Sequence, residues 1–267
     1  MKFTKMSGAG NDFIMVDNRD GSLSRVLGRE RIAELCRRGL SVGADGLIEI
    51  REDPVHAFAM KYYNSDGGAA DMCGNGARCI CRFAAELGMV ETGVEFTFAS
   101  DAGIHKGSIT GDREARIWMT EPILHYLEKA IDVADGIVIT TGFADTGVPH
   151  AVVFRDSIED GSFEKYASVI RSLDEFGQEG ANVNWVRVQR DGSMSIRTFE
   201  RGVEGETLAC GTGAVACALV ASERFDSVTL PVRIAVKSGL LLTVGEDSSG
   251  WWLQGEAGII YRAETIS

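Results

Sequence analysis

"CGNGARC" at residues 73–79 and "CGTGAVA" at 210–216 write Cys-Gly-x-Gly-Ala twice in one chain. The copies stand 210 − 73 = 137 residues apart, about half of the 267-residue length. The same offset aligns more of the chain. "GADGLI" (43–48) falls on "GANVNW" (180–185), and "YYN" (62–64) falls on "FER" (199–201), which sets Asn64 opposite Arg201. At an offset of 139, "SGAGNDFIMVD" (7–17) falls on "TGVPHAVVFRD" (146–156), so Asn11 faces His150. Segments in the same order at nearly constant offset imply an internal duplication. The expected halves are 1–118 and 119–255, with 256–267 returning to the first.

Each half reads mainly as strands with one or two helices. "FIMVD", "GLIEI", "VEFTFAS", "AVVFR", "VNWVRVQ" and "LLLTVG" carry the β-branched and aromatic content of strands. "SDGG" (65–68) and "DG" (191–192) punctuate them as turns. After each CGxG the period changes. Ala77, Ile80, Cys81, Ala84 and Leu87 form a helical stripe, with Gly88 as a stop, and Ala214, Cys217, Ala218 and Ala221 repeat it. The expected fold is α+β: two pseudo-symmetric homologous domains, each a strand-rich, barrel-like sheet around a central helix.

Composition bounds the function. Hydrophobic residues make up 45% and charged residues 25%, the profile of a chain with a full core. A net charge of −12 argues against nucleic acid as a partner, because phosphate binding wants a basic surface. No apolar run approaches a membrane span, and the N-terminus lacks the apolar core of a signal peptide. A cytoplasmic location with reduced thiols is therefore expected. Six cysteines without a CxxC pair, alongside four histidines, do not suggest a structural zinc site. Four of the six fit as small buried hydrophobes. "GAG" at 8–10 is a poor dinucleotide loop, because Phe13 stands where a third glycine belongs.

Cys73 and Cys210 differ from the others in standing at expected helix starts. A helix N-terminus lowers a thiol's pKa, its glycines let a ligand approach, and its free N–H groups bind a carboxylate. Two such thiols flanking one ligand supply a base on one face and an acid on the other. That is what inversion at a carbon bearing hydrogen needs. No pyridoxal cofactor is required, and the sequence offers no clear Schiff-base lysine.

"KMSGAGNDFIMVDN", "NSDGGAADMCGNGARC" and "ERGVEGETLACGTGA" together resemble the diaminopimelate epimerases, over essentially the whole chain. The resemblance implies a cofactor-independent interconversion of L,L- and meso-diaminopimelate, serving lysine and peptidoglycan precursors. It implies Cys73 and Cys210 as the acid–base pair, with His150 and Glu200 assisting. Gly74, Asn75, Gly211 and Thr212 would offer N–H groups to the reacting carboxylate. Asn11, Asn64, Asn182, Glu200 and Arg201 would hold the remaining substrate, and Tyr261 would lie in a homodimer contact.

Two positions depart from many members: Val148 stands in place of an asparagine, and Gly46 in place of a glutamine. They leave open a racemase of another amino acid, such as histidine, on the same fold. A thiol-redox protein and a non-catalytic amino-acid binding module are the alternatives from other classes. Both cysteines being present tells against the second.

Overall fold

A hairpin opens the chain: β1 (Lys2–Gly8) and β2 (Asn11–Asp17) pair antiparallel around Ala9 and Gly10, both at positive φ. The "GAG" stretch is thus a tight turn. In the computed structural model, which describes all residues except Asp71, Asp135 and Ser267, the chain divides into two compact units. One comprises Met1–Trp118 with Gln254–Ser267, the other Met119–Leu253.

The first unit continues with α1 (Arg29–Cys36), β3 (Gly46–Arg51), β4 (Ala59–Asn64) and β5 (Ala69–Ala70). Then come α2 (Gly74–Glu86), β6 (Glu95–Ser100), β7 (Gly103–Gly111) and β8 (Glu114–Trp118). The second unit runs β9 (Ile123–Ala134), β10 (Ile137–Asp145), β11 (Pro149–Phe154), α3 (Phe163–Arg171), β12 (Asn182–Val188), β13 (Met194–Glu200) and β14 (Gly205–Thr207). It ends with α4 (Gly211–Arg224), β15 (Val232–Ala235), β16 (Leu241–Asp247) and β17 (Gly250–Glu256), within which the division at Leu253 falls. β18 (Gly258–Glu264) closes the first unit against β1.

The pairings repeat. β1–β2 is antiparallel, β2–β3 parallel across α1, β3–β4 and β4–β5 antiparallel, and β4–β6 parallel across α2. In the same order, β10–β11 is antiparallel, β11–β12 parallel across α3, β12–β13 and β13–β14 antiparallel, and β13–β15 parallel across α4. Each parallel pair needs a crossover, and in each case a helix supplies it. The duplication read from the sequence is therefore a duplication of topology.

The two long helices are central to their units. α2 packs on β1, β2, β3, β7 and β8, while α4 packs on β9, β10, β11, β12 and β16. Both are buried nearly all round, as a helix enclosed by strands must be. Small residues let the strands close in. A Cβ on Gly142 of β10 would stand 2.6 Å from Val220 Cγ1 of α4, and one on Gly8 would stand 2.6 Å from the Asn75 carbonyl of α2. By contrast α1 and α3 bury one stripe each: Ile32, Leu35 and Cys36, and Phe163, Ala167 and Ile170. Trp185 of β12 fills the core beneath α3, edge-on to Phe163 at 5.2 Å. Among the described residues no helix is long and apolar enough to cross a membrane.

Candidate active site

Both cysteines occupy N-caps. Cys73 precedes α2 with φ −137° and ψ 120°, and Cys210 precedes α4 with φ −125° and ψ 112°. Neither cysteine makes the side-chain capping bond to a first-turn N–H that serine or aspartate makes at this position. Cys210 Sγ lies 3.3 Å from Thr212 Oγ1. Cys73 is half-buried and Cys210 is 7% exposed.

The other four cysteines are of a different kind. Burial pushes the Cys36 thiol up to about 11 and the Cys79 thiol up to about 12. It pushes Cys81 and Cys217 up as well. All four stay protonated and serve as packing, as the sequence suggested.

In the first unit a polarised chain of side chains runs behind Cys73. Arg78, fully buried in α2, donates to Asn75 Oδ1 at 2.8 Å. Asn75 Nδ2 donates to Asn11 Oδ1, and Asn11 Nδ2 donates to Asp45 Oδ2 at 3.2 Å. A cation at one end and an anion at the other fix the orientation of both amides. Arg38 bonds Asp12 and Asp45, and Lys5 pairs with Asp12. Burial opposes the Asp12 charge, but Arg38 and Lys5 together hold its carboxyl low.

The second unit places His150 where the sequence offset sets it opposite Asn11. Asn182 (45 + 137) stands in turn at the position of Asp45. Here too the pair meets: Asn182 Nδ2 lies 3.5 Å from His150 Nε2, while Asn182 Oδ1 accepts the Arg201 backbone N–H at 2.7 Å. Asn184 Nδ2 donates to His150 Nδ1 at 3.0 Å, and Thr198 Oγ1 donates to Asn184 Oδ1 at 2.9 Å. His150, Asn182, Asn184 and Thr198 are all buried. Burial, then the nearby Arg201 charge, holds the imidazole down to about 3, so it is neutral at physiological pH. A Cβ on Gly213 would meet Asn184 Oδ1 at 2.6 Å and both Cys210 Sγ and His150 Cε1 at 3.3 Å. The first turn of α4, the thiol and the imidazole thus close on one point.

The remaining candidates lie on strand ends. Glu200 ends β13, half-buried, and burial pushes its carboxyl up. Arg201 follows it and reaches Glu179 at 3.1 Å from the guanidinium. Asn64, exposed at the end of β4, pairs in register with Gly46 and closes its turn through the Gly68 carbonyl. A Cβ on Gly46 would strike the Tyr63 carbonyl and come within 2.7 Å of the Tyr62 ring. Those tyrosines fill the room that a glutamine side chain would need. Val148, beside the Asp145–Gly147 turn, is half-buried and its carbonyl accepts from Thr146. Tyr261 is exposed on β18, edge-on to Phe3 at 6.1 Å.

Sequence reasoning missed Arg78, Asn184 and Thr198. Arg78 stands inside the quoted motif, and Asn184 is a polar residue on the same strand face as Asn182, in an otherwise apolar run. Those were the available signals. Among the described residues no group of three or more His, Cys, Asp or Glu converges as metal ligands would.

The architecture is that of a class of solved structures. A phenazine biosynthesis protein of the PhzF family from Bacillus anthracis is 16% identical, covers 100% of this chain and 98% of its own, and has a TM-score of 0.73. A probable proline racemase from Agrobacterium radiobacter is 15% identical, covers 99% and 92%, and has a TM-score of 0.70. At such identities the likeness is one of fold. The class is a two-unit, helix-centred α+β fold. Sequence narrows it. The family model described as "Diaminopimelate epimerase" matches residues 3–125 and 142–258. The diaminopimelate epimerase of Chlorobaculum tepidum is 40% identical, covering 96% of this chain and 98% of that relative. That of Aquifex aeolicus is 40% identical, covering 96% and 94%. This chain belongs to the diaminopimelate epimerase family.

Proposed function

We propose that this protein is a diaminopimelate epimerase that interconverts the L,L and meso forms with two thiols and no pyridoxal cofactor. The observation that carries the reading is the pair of cysteine N-caps, each heading a buried, glycine-rich first turn at the start of its unit's central helix.

Cys73 and Cys210 act in turn. A thiolate on one face of the α-carbon removes its proton, and the C–H electron pair moves into the adjoining carboxylate. The opposite thiol then delivers its proton to the other face. The two cysteines end with their protonation exchanged. A carboxylate that takes on charge in this way would be met by the N–H groups of Gly74, Asn75, Gly211 and Thr212. Asn11, Asn64, Asn182, Glu200 and Arg201 hold the rest of the substrate. Arg201 suits a distal carboxylate because its guanidinium binds bidentately, and Glu200 answers an ammonium. His150 and Glu200 assist the thiols.

The reading extends to a cytoplasmic enzyme of lysine and peptidoglycan-precursor synthesis, working as a homodimer with Tyr261 at the contact. Purified protein, kept reduced, is offered L,L-diaminopimelate, meso-diaminopimelate and L-histidine separately, and stereochemistry is followed by chiral chromatography. Inversion of the two diaminopimelates alone supports the reading. Inversion of histidine alone would move the substrate assignment, and no inversion would bring forward a redox role for the thiols.

A further inference from the structure

Unit two has one polar residue at its site for which unit one has no polar counterpart. The 137-residue offset sets Asn184 opposite Leu47, a core residue of β3 with no exposure. Asn184 is equally buried, on β12, yet it spends every side-chain atom on hydrogen bonds.

Its orientation is fixed from two sides. The Ala151 carbonyl can only accept, and Asn184 Nδ2 donates to it at 3.3 Å. Thr198 Oγ1 meets the amide oxygen at 2.9 Å. The same Nδ2 therefore donates to His150 Nδ1 at 3.0 Å, which makes Nδ1 an acceptor and leaves the ring proton on Nε2. On the other side, the Arg201 backbone N–H can only donate, so it fixes Asn182 with Oδ1 turned to it and Nδ2 turned to Nε2. Two donors then stand side by side at 3.5 Å without bonding each other.

We propose that Asn184 is a positioning residue that holds His150 as the neutral Nε2–H tautomer, making it a hydrogen-bond donor beside Cys210. The imidazole in this arrangement supplies no positive charge and takes no proton. It orients a fixed N–H toward charge that develops near the thiol. Leucine at 184, as in the first half, would fill similar volume while freeing the ring to exchange tautomers. The functional consequence rests on the epimerase reading above, but the tautomer does not.

The test uses enzyme labelled with 15N-histidine, whose two-bond proton–nitrogen correlations distinguish the tautomers. The His150 signals are identified by their loss in His150→Gln. Wild type at pH 7.5 is expected to show a single Nε2–H pattern. Asn184→Leu is expected to show averaged nitrogen shifts, with kcat reduced ~10-fold or more and KM within ~2-fold, the loss of one buried polar contact to a catalytic group. Thr198→Val, which keeps Asn184 but frees its oxygen, is expected to fall between the two and serves if the leucine variant does not fold. An Nδ1–H or doubly protonated ring in wild type overturns the proposal, as does an unchanged tautomer and kcat in a folded variant. Absence of epimerase activity in wild type, with the Nε2–H pattern intact, would instead overturn the functional reading alone.

Discussion

The first turns of α2 and α4 are built on the same skeleton and surrounded by opposite chemistry. Behind Cys73 the supporting groups are charged at both ends: Arg78 feeds Asn75 and Asn11, and Asp45 terminates the chain. Behind Cys210 the linked side chains are themselves neutral, Thr198, Asn184, His150 and Asn182, with the Arg201 charge nearby. Duplication preserved a contact at the heads of β2 and β3 and of β11 and β12: Asn11 with Asp45, which immediately precedes β3, and His150 with Asn182. It did not preserve its charge. The proposed reaction moves a proton between two thiols and would give each a distinct task, to which unequal surroundings around equal backbones are suited.

The largest expected effect treats the two alike. Cys73→Ser and Cys210→Ser should each reduce epimerisation by ~10³-fold, within the range for loss of a general acid–base group, because a hydroxyl is a far poorer base. Steady-state assays from both isomers check this, and a Cys210→Ser enzyme near wild-type rate would break the pairing of the two sites.

Glycine replacement should separate them. Gly76 and Gly213 correspond at the 137-residue offset. An added Cβ at Gly76 meets the tip of Ile48 at 2.8 Å, which can rotate away. At Gly213 it meets the anchored Asn184 oxygen at 2.6 Å, with Cys210 and His150 next to it. Gly213→Ala should therefore cost about 1–3 kcal/mol of stability and most of the activity, and Gly76→Ala distinctly less. Denaturant titration and kcat decide; equal costs would mean the corners are equally rigid.

Buried titrating groups divide between the units as well. His150 has an ordinary value of 6.5 and is held down to about 3 in the folded chain. Below pH ~6.5 the unfolded chain takes up a proton that the folded chain refuses, so stability falls on the acid side by up to ~1.4 kcal/mol per pH unit. Half-buried His105 in the first unit acts in the same direction. Cys36, Cys79 and Cys81 in the first unit and Cys217 in the second have raised values, and their contribution is lost as pH climbs past the ordinary thiol range. Stability should be greatest between about pH 6.5 and 8.5. Thermal melts across pH check the plateau, and His150→Gln should flatten the acid limb.

The smallest effect is expected at the surface. Glu179, mostly exposed, pairs with Arg201 at 3.1 Å. Glu179→Gln should change stability by under ~1 kcal/mol, as exposed ion pairs do. A large loss of activity there would mean that the pair orients Arg201 for substrate.

How far the sequence carried depended on distance along the chain. The helices after Cys73 and Cys210 were legible because cap, glycines and apolar stripe lie within a dozen neighbouring residues. β9 was not legible: "ILHYLEKAIDVA" mixes charges with apolar residues and carries no turn signal. The stripes of α1 and α3 are short, and neither was located individually. Offsets between the halves set His150 opposite Asn11, whereas the strand registers set it opposite Asp12: His150 pairs with Asn182 as Phe13, next to Asp12, pairs with Gly46, next to Asp45. Asn184 escaped notice because its partners lie 34 residues back at His150 and 14 residues on at Thr198. Nothing local marks it except a polar letter inside a strand. Arg78 was read as part of a motif, but its burial behind Asn75 depends on strands closing around α2 from both ends of the unit.

The two-thiol mechanism is tested most directly by the fate of solvent hydrogen. Reduced enzyme is incubated with L,L-diaminopimelate in D₂O, and the α-position is followed by NMR in both remaining substrate and new meso product during the earliest turnovers. Two opposed thiols predict that deuterium enters the product first, while recovered substrate keeps its protium. Deuterium appearing equally fast in substrate and product would mean that one base serves both faces, and would contradict the account.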